Sequence, residues 1–222
     1  MSWDPTWEEV FRTRGWSRYP LEALISFVAR HYFKAANRRE LRFLELGCGE
    51  GNNLWFLARE GFTAYGVDGS STAIGKARTR LEAEGLSAHL QVGDVLNLDQ
   101  LYAGARFDAV INAGCLQHNT VASVEKILSQ IAALLEPGGR IFSTMIAAGS
   151  FGDQLGDRIE DGTYANIREG SFKGLGLCHF FTLDEIAELF SEFSELQIES
   201  LKTTTNNRTQ EYTHWIVEGL KP

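Results

Sequence analysis

The chain has 222 residues, a formal net charge of −8 and a sequence pI of about 5.2. This length allows one α/β domain with a substantial core. The excess of acids disfavours a nucleic-acid or anionic-membrane binder, which would more often present a basic face. The first residues, MSWDPTWEEVF, lack the basic and apolar regions of a signal peptide, and no stretch approaches about 18 continuous apolar residues. We therefore expect a cytoplasmic protein that binds neither nucleic acid nor membrane.

The three cysteines, Cys48, Cys115 and Cys178, are widely spaced and odd in number. This pattern fits a reducing compartment better than a disulfide framework or a thiolate metal site. Neither a CxxC nor an HExxH pattern occurs, so we expect no bound metal.

Short β-rich runs alternate with helical stretches along the chain. Residues 1–40 precede the first strand and contain the apolar helical stripe of YPLEALISFVARHYFKAA, which predicts an N-terminal helical cap. The strands predicted after it are LRFLEL, TAYGVDG, AHLQVGD, FDAVINAG and GRIFSTMI. The helices predicted between them include NNLWFLAREG, STAIGKARTRLEAEG and VASVEKILSQIAALLEPGG. This alternation implies parallel pairing through right-handed crossovers, and therefore a doubly wound α/β sheet within a single domain, residues 1–222.

Residues 149–181 interrupt this pattern. The segment combines seven glycines with aromatic and basic side chains and has little periodicity. We interpret it as an inserted substrate lid hinged at its glycines, with a rigid insertion or a dimer contact as alternatives. The helix TLDEIAELFSEF follows it, and Thr182 and Glu185 stand in capping-box register.

The stretch FLELGCGEGNN, residues 43–53, places three glycines on alternate positions directly after a strand. In a doubly wound sheet, ligands bind beyond the carboxyl ends of the strands, and the first strand-to-helix turn supplies backbone N–H groups. Asp68 ends the second strand, where an acid can accept both hydroxyls of a ribose. The alternatives are a tight turn without a ligand and an acid that only caps a helix or turn.

The glycine spacing is G-x-G-x-G, which differs from the dinucleotide pattern, and Glu45 stands two residues before the first glycine. A carboxylate there would repel a pyrophosphate but suits a ligand with an ammonium and a sulfonium. VDGS, GDV at 93–95, FDAVINAGCLQHN, LLEPGGRIF and the final LQIESLKTTT and THWIVEGLKP follow in order. From about residue 41 to its end, the chain resembles the class I S-adenosylmethionine-dependent methyltransferases, in particular bacterial enzymes acting on small molecules and sugars.

The resemblance implies a Rossmann-like methyltransferase fold, with a seven-stranded, mostly parallel sheet that ends in an antiparallel hairpin. It implies S-adenosyl-L-methionine as cofactor, with Glu45 near its ammonium, Asp68 at its ribose, and Asp94 and Val95 at its adenine. The full set of cofactor residues that it implies is Glu45, Gly47, Cys48, Gly49, Asn53, Asp68, Gly69, Asp94, Val95, Asn112 and Ala113. Asn112 and Ala113 would face the methyl-bearing sulfur.

The loop after the fourth strand indicates the acceptor class. It reads NAGC, where methyltransferases of adenine or glutamine amides commonly carry (N/D)-P-P-(Y/F), and it lacks the Pro-Cys nucleophile of cytosine-ring enzymes. CLQH resembles the loop of many small-molecule and sugar O-methyltransferases. We therefore expect O-methylation of a hydroxyl on a sugar or related metabolite.

His118 is the candidate general base, since an imidazole titrates near neutral pH. The alternative is a histidine that only bonds the loop or lines the cofactor pocket. The residues expected to meet the acceptor are Tyr19, His118, Arg168, His179 and Phe181.

Two other functions share this fold. An aminopropyl transferase would use the decarboxylated cofactor and would need acids in its acceptor site, which NAGCLQH does not supply. A non-catalytic adaptor would be expected to have a broken glycine turn or to lack the ribose acid. The sequence leaves open the acceptor, the atom methylated and the oligomeric state.

Overall fold

The computed structural model describes residues 3–222, and a seven-stranded sheet forms its centre. The strands of the described chain are β1 Arg42–Leu46, β2 Thr63–Asp68, β3 His89–Val92, β4 Phe107–Ala113, β5 Leu135–Ile146, β6 Asp157–Glu160, β7 Thr163–Ala165, β8 Cys178–His179, β9 Ser194–Thr205 and β10 Gln210–Leu220. The order in the large sheet is β3-β2-β1-β4-β5-β10-β9. The first five of these strands pair in parallel, whereas β10 runs antiparallel to both β5 and β9. The predicted fold class is therefore confirmed, including the antiparallel hairpin.

Helices cover both faces of this sheet, because successive residues of a strand point to opposite sides. Phe43 of β1 belongs to one buried cluster and Leu44 to another. The helices are α1 Thr6–Thr13, α2 Glu22–Tyr32, α3 Asn52–Arg59, α4 Ser71–Ala83, α5 Leu98–Leu101, α6 Val121–Leu134 and α7 Leu183–Leu189. The first two lie within the expected N-terminal cap, residues 1–40. Among the described residues, no helix is both long and apolar enough to cross a bilayer.

The helix expected over residues 121–139 is shorter than its sequence suggested. It ends at Leu134, and β5 begins at Leu135. Pro137 explains the early end, because a proline disfavours helical geometry in the residue before it. The strand pairing starts here as well, with Leu135 opposite Phe107 of β4.

The segment 149–181 contains regular secondary structure and is not only a loop. It contains the antiparallel sheet β6-β7-β8, whose strands have two to four residues and are too short to give a clear periodic signal. Five of its apolar side chains are buried together with Val10 of α1 and Tyr212 of β10; they are Ile167, Phe172, Leu175, Cys178 and Phe180. Its movement as a lid stays a prediction. The capping box of α7 is formed as expected, with reciprocal bonds between Thr182 and Glu185.

Candidate functional site

A cavity of about 670 Å³ lies at the carboxyl ends of β1, β2 and β4, where the topology predicts a ligand site. The structure brings almost all of the expected cofactor residues to its wall. Those that line it are Glu45, Gly47, Cys48, Gly49, Asn53, Asp68, Gly69, Asp94, Val95 and Ala113. Tyr19 and His118, expected at the acceptor, line it too.

Both the backbone geometry and the available space favour glycine at two positions of the turn. Gly47 and Gly49 have φ angles of 59° and 51°, in the left-handed region that side chains disfavour. A Cβ on Gly47 would lie 2.7 Å from the Sγ of Cys115, and a Cβ on Gly49 would lie 3.2 Å from the ring of Phe11. The turn therefore exposes its main chain to the cavity without side chains at these positions. The side chains of Cys115 and Phe11 already lie close to it.

Asp68 joins the end of β2 to the glycine turn. Its Oδ2 accepts from the Gly49 N–H at 2.9 Å, and its Oδ1 accepts from the Ser70 N–H at 2.8 Å. The bond from Ser70 is the turn-capping role considered as the alternative. Each carboxylate oxygen can accept a further hydrogen bond, so capping leaves capacity for a ligand hydroxyl. Burial raises the pKa of Asp68, opposed by these two backbone bonds.

Glu45 is a buried acid with one oxygen left over. Its Oε1 accepts from Asn53 Nδ2 at 2.6 Å, and its Oε2 has no partner among the described residues. Burial, with a smaller contribution from the charge of Asp68, raises its pKa to about 8, while the bond from Asn53 acts in the opposite direction. A cation placed at this oxygen would therefore favour the ionised carboxylate.

Asp94, which also lines the cavity, has a second such oxygen. Its Oδ1 accepts from the Leu96 N–H at 2.9 Å and caps the short 3-10 turn Val95–Asn97. Its Oδ2 is buried without a partner in the described part of the chain. Buried polar atoms are normally hydrogen-bonded, so two partnerless carboxylate oxygens in one cavity indicate a ligand with two donors. The ammonium and adenine amino groups of S-adenosylmethionine fit that requirement.

Asn112 corrects one expectation. It does not line the cavity, because its side chain is used within the sheet and the following loop. Its Nδ2 donates to Ser143 Oγ at 2.6 Å, and its Oδ1 accepts from the N–H groups of Cys115 and Leu116. Asn112 therefore shapes the loop that carries His118, and we withdraw it as a cofactor contact.

His118 has the geometry of a neutral imidazole with one free nitrogen. Its Nδ1 lies 2.8 Å from the carbonyl oxygen of Leu177, which can only accept, so Nδ1 carries the proton and Nε2 does not. Burial lowers its pKa to about 4. The ring packs edge-on against Trp7 at 4.6 Å and lies 6.4 Å from Phe172. His118 can thus accept a proton at neutral pH, although its basicity is weak.

Three residues expected at the acceptor lie away from the cavity. Arg168 is exposed and forms an ion pair with Asp157 at 3.4 Å. His179 is fully buried, with its Nδ1 2.6 Å from Thr163 Oγ1 and its Nε2 3.5 Å from Glu185. Phe181 is buried in the core on the α6 face of the sheet. Ion pairing and core packing use these side chains, none of the three lines the cavity, and their contact with the acceptor stays a prediction.

The structure adds an aromatic wall that was not foreseen from the sequence. Trp3, Trp7, Phe11 and Trp16 line the cavity from the N-terminal segment, and Phe172 lines it too. The spacing of the first three, four residues apart, is that of one helical face and was the available signal. His214 of β10 also lines the cavity.

Polar contacts hold α1 against α4 and thereby hold this wall over the glycine turn. Glu8 accepts from the hydroxyl of Thr72, and Lys76 Nζ donates to the carbonyl of Phe11. Lys76 also pairs with Glu50 at 2.8 Å. Hydrogen bonds from Ser70 and Thr72 lower the pKa of Glu8, which favours the charged form that anchors the helix.

Comparison with known proteins gives a consistent result. Residues 43–139 match a family described as a methyltransferase domain. Over 149 residues the chain is 32% identical to a ubiquinone biosynthesis O-methyltransferase of Sinorhizobium medicae, covering 65% of this chain and 58% of that protein. The enzyme of the same name from Rhizobium etli is 37% identical over 106 residues, covering 48% and 41%. The chain thus spans about two fifths to three fifths of the length of these relatives.

Two solved structures share the fold over most of the chain. A protein from a study of the conversion of a disulfide bond into a thioacetal group during echinomycin biosynthesis has a TM-score of 0.71 and 20% identity, covering 97% of this chain and 90% of its own. Magnesium protoporphyrin IX methyltransferase from Synechocystis, solved with bound S-adenosylhomocysteine, has a TM-score of 0.64 and 18% identity, covering 98% and 84%. At these identities the likeness establishes the fold.

Proposed function

We propose that this chain, a member of the class I S-adenosylmethionine-dependent methyltransferase family, transfers a methyl group from S-adenosyl-L-methionine to a hydroxyl of a small molecule. The observation that carries the proposal is the pair of buried carboxylate oxygens without a partner in residues 3–222, Glu45 Oε2 and Asp94 Oδ2, on two residues that line one cavity. They stand beside a glycine turn and a ribose-type acid, Asp68.

Different residues of the chain bind different parts of the cofactor. Glu45 binds the ammonium, Asp68 the ribose hydroxyls, and Asp94 with the Val95 N–H the adenine. Gly47 and Gly49 let the main chain approach the methionine portion. When bound, the cofactor supplies an activated methyl group on a sulfonium, and the protein's task is to hold the acceptor oxygen in line with it.

His118 is the general base of the proposal. With Nδ1 donating to Leu177, its unprotonated Nε2 is available to a hydroxyl as the oxygen attacks. The enclosure by Trp7 and Phe172 limits access of water to the reacting atoms. A base of low pKa suits a hydroxyl whose proton leaves late, since the developing oxonium is far more acidic than the free alcohol.

We propose that the acceptor is a small molecule with a hydroxyl group and a flat face. A sugar or a related metabolite is the expected example. Sugars and aromatic rings both stack on tryptophan and phenylalanine side chains. The named relatives with O-methyltransferase function support the choice of oxygen.

The test uses the purified protein with methyl-labelled cofactor and a panel of hydroxyl compounds. We expect label to be transferred to at least one hydroxyl acceptor and S-adenosylhomocysteine to be formed in equal amount. Titration calorimetry on the same protein should show binding of S-adenosylhomocysteine. Binding of NAD in its place, or transfer of an aminopropyl group from the decarboxylated cofactor, would contradict the proposal.

A further inference from the structure

The charges around the cavity are of one sign. Its wall contains the five acids Asp4, Glu22, Glu45, Asp68 and Asp94, of which Glu45, with a pKa of about 8, is ionised at neutral pH only when a cation pairs with it. Among its lining residues in the described chain, 3–222, no lysine or arginine occurs. The two histidines of the wall do not supply positive charge either, since burial lowers the pKa of both His118 and His214.

Several cations near the wall take part in other contacts, although Arg18 and Lys173 stand next to lining residues in the sequence. Lys76 pairs with Glu50 and bonds the carbonyl of Phe11. Arg80 donates to the carbonyl of Arg18. Arg168, the one basic residue that the sequence suggested for the acceptor, pairs with Asp157 on the surface. The lining residues themselves therefore offer an anion no lysine or arginine as an ionic partner.

Three of the acids belong to the proposed cofactor positions, but Asp4 does not. It begins the segment that carries the aromatic wall, and its Oδ1 accepts from the Thr6 N–H at 2.9 Å. Its charge acts on His118, whose pKa it raises against the effect of burial. A negative charge thus stands at the His118 end of the cavity, where the acceptor would bind.

The same end is surrounded by rings. Trp7 lies 4.6 Å from His118 and 6.0 Å from Trp16, and Phe172 closes the other side. The faces of aromatic rings attract cations and flat apolar surfaces, and they give an anion no favourable electrostatic contact. Tyr19, exposed at the rim, adds a further aromatic ring.

We propose that the acceptor is an uncharged or cationic molecule with a flat ring, and that the acid and aromatic wall of this cavity discriminates against acceptors carrying a phosphate or carboxylate. An unpaired anion there would lose its hydration and meet Asp4 without compensation. Within the sugar class this excludes sugar phosphates and nucleotide sugars. The inference rests on the proposed function and narrows its substrate.

The test measures binding of three phenols of similar size to the full chain saturated with S-adenosylhomocysteine. They are tyrosol, which is neutral, tyramine, which is cationic, and 4-hydroxyphenylacetate, which is anionic. At low ionic strength we expect the anion to bind about tenfold or more weakly than the neutral compound, and tyramine to bind at least as well as tyrosol. Added salt should reduce both differences.

Asp4→Asn should reduce the difference in binding affinity between tyrosol and 4-hydroxyphenylacetate several-fold. Asparagine keeps the capping bond to the Thr6 N–H but removes the negative charge. Glu9→Gln is the control, since Glu9 lies on the same helix but pairs with Arg12 outside the cavity wall, and it should leave the difference unchanged. Equal or tighter binding of the anion, an unchanged difference in Asp4→Asn, or failure of all three phenols to bind would overturn the inference. Loss of S-adenosylhomocysteine binding in the parent would instead refute the proposed function.

Discussion

The side chain of Asn53 joins Glu45 to the N-terminal segment: its Nδ2 donates to Glu45 Oε1 at 2.6 Å, and its Oδ1 accepts from the Leu21 N–H at 3.2 Å. One amide thus satisfies half of a buried carboxylate and positions the residues just before α2. The proposed ammonium site therefore depends on a residue that need not touch the ammonium itself.

Asn53→Ala should weaken binding of S-adenosylhomocysteine. Without the amide, Oε1 of Glu45 loses its partner and the pKa of Glu45 rises further, so ionising this carboxyl group in the complex costs about 1–2 kcal/mol more. Calorimetry should show a loss of affinity of about fivefold or more. Asn37→Ala, which changes an exposed asparagine outside the cavity wall, is the control. Unaltered affinity in Asn53→Ala would show that this bond does not support the site.

Glu45 also predicts a pH dependence of stability. Its pKa is about 8 in the folded protein, against an ordinary value of 4.5, so the folded state keeps a proton that the unfolded chain releases. The free energy of unfolding should therefore fall as the pH rises from about 4.5 to about 8 and level off above that range. The contribution is on the order of a few kcal/mol.

Glu45→Gln should remove this contribution. Urea unfolding of the ligand-free protein at pH 5.5 and pH 8 should show that the variant loses less stability over this interval than the parent does. If the two proteins change in parallel, Glu45 does not titrate in this range.

Gly47→Ala tests the glycine turn. Gly47 has a φ of 59°, and an added Cβ would lie 2.7 Å from Cys115, so the substitution should destabilise the fold by about 2 kcal/mol or more. Gly75→Ala is the matched control: Gly75 lies inside α4 with nothing within 4 Å of an added Cβ. This change should stabilise the protein by roughly 0.5–1 kcal/mol. Chemical denaturation measures both, and equal effects would contradict the account of the turn.

The glycine turn and its acids could be predicted because their chemistry is local in the sequence. Gly47, Gly49 and Asp68 lie within 22 residues, and their spacing alone indicates a ligand site. The contact of Trp7 with His118 joins residues far apart in the chain, so it depends on how α1 packs. A helical stripe shows which face of α1 is buried but not what it covers.

The expected acceptor residues that do not line the cavity differ from the sequence-based expectation for a related reason. Arg168 and His179 stand in a segment rich in glycines and aromatics, which resembles a binding loop in composition. The same residues can fill the core and ion pairs of a small sheet, and here they do. The expectation for Asn112 differs from the structure for another reason. Asn112 stands at the expected position of the motif, but its side chain turns into the sheet towards Ser143.

His118→Ala should lower the turnover number by roughly 10²-fold and leave the affinity for S-adenosylhomocysteine almost unchanged. The parent should lose activity only as the pH falls towards about 4, because the pKa of His118 is lowered to about that value and the base is free above it. Rate measurements across pH on both proteins check this. An acid limb that persists in His118→Ala would assign the titration to another group.

We propose that Glu45 Oε2 and Asp94 Oδ2, which have no partner within residues 3–222, are the atoms that bind the cofactor. A crystal structure of the protein with S-adenosylhomocysteine tests it most directly. We predict the ligand's ammonium within hydrogen-bond distance of Glu45, directly or through one water, its ribose hydroxyls on Asp68 and its adenine amino group on Asp94 Oδ2. A ligand bound elsewhere, or bound in this cavity with both oxygens still unpartnered, would contradict the account.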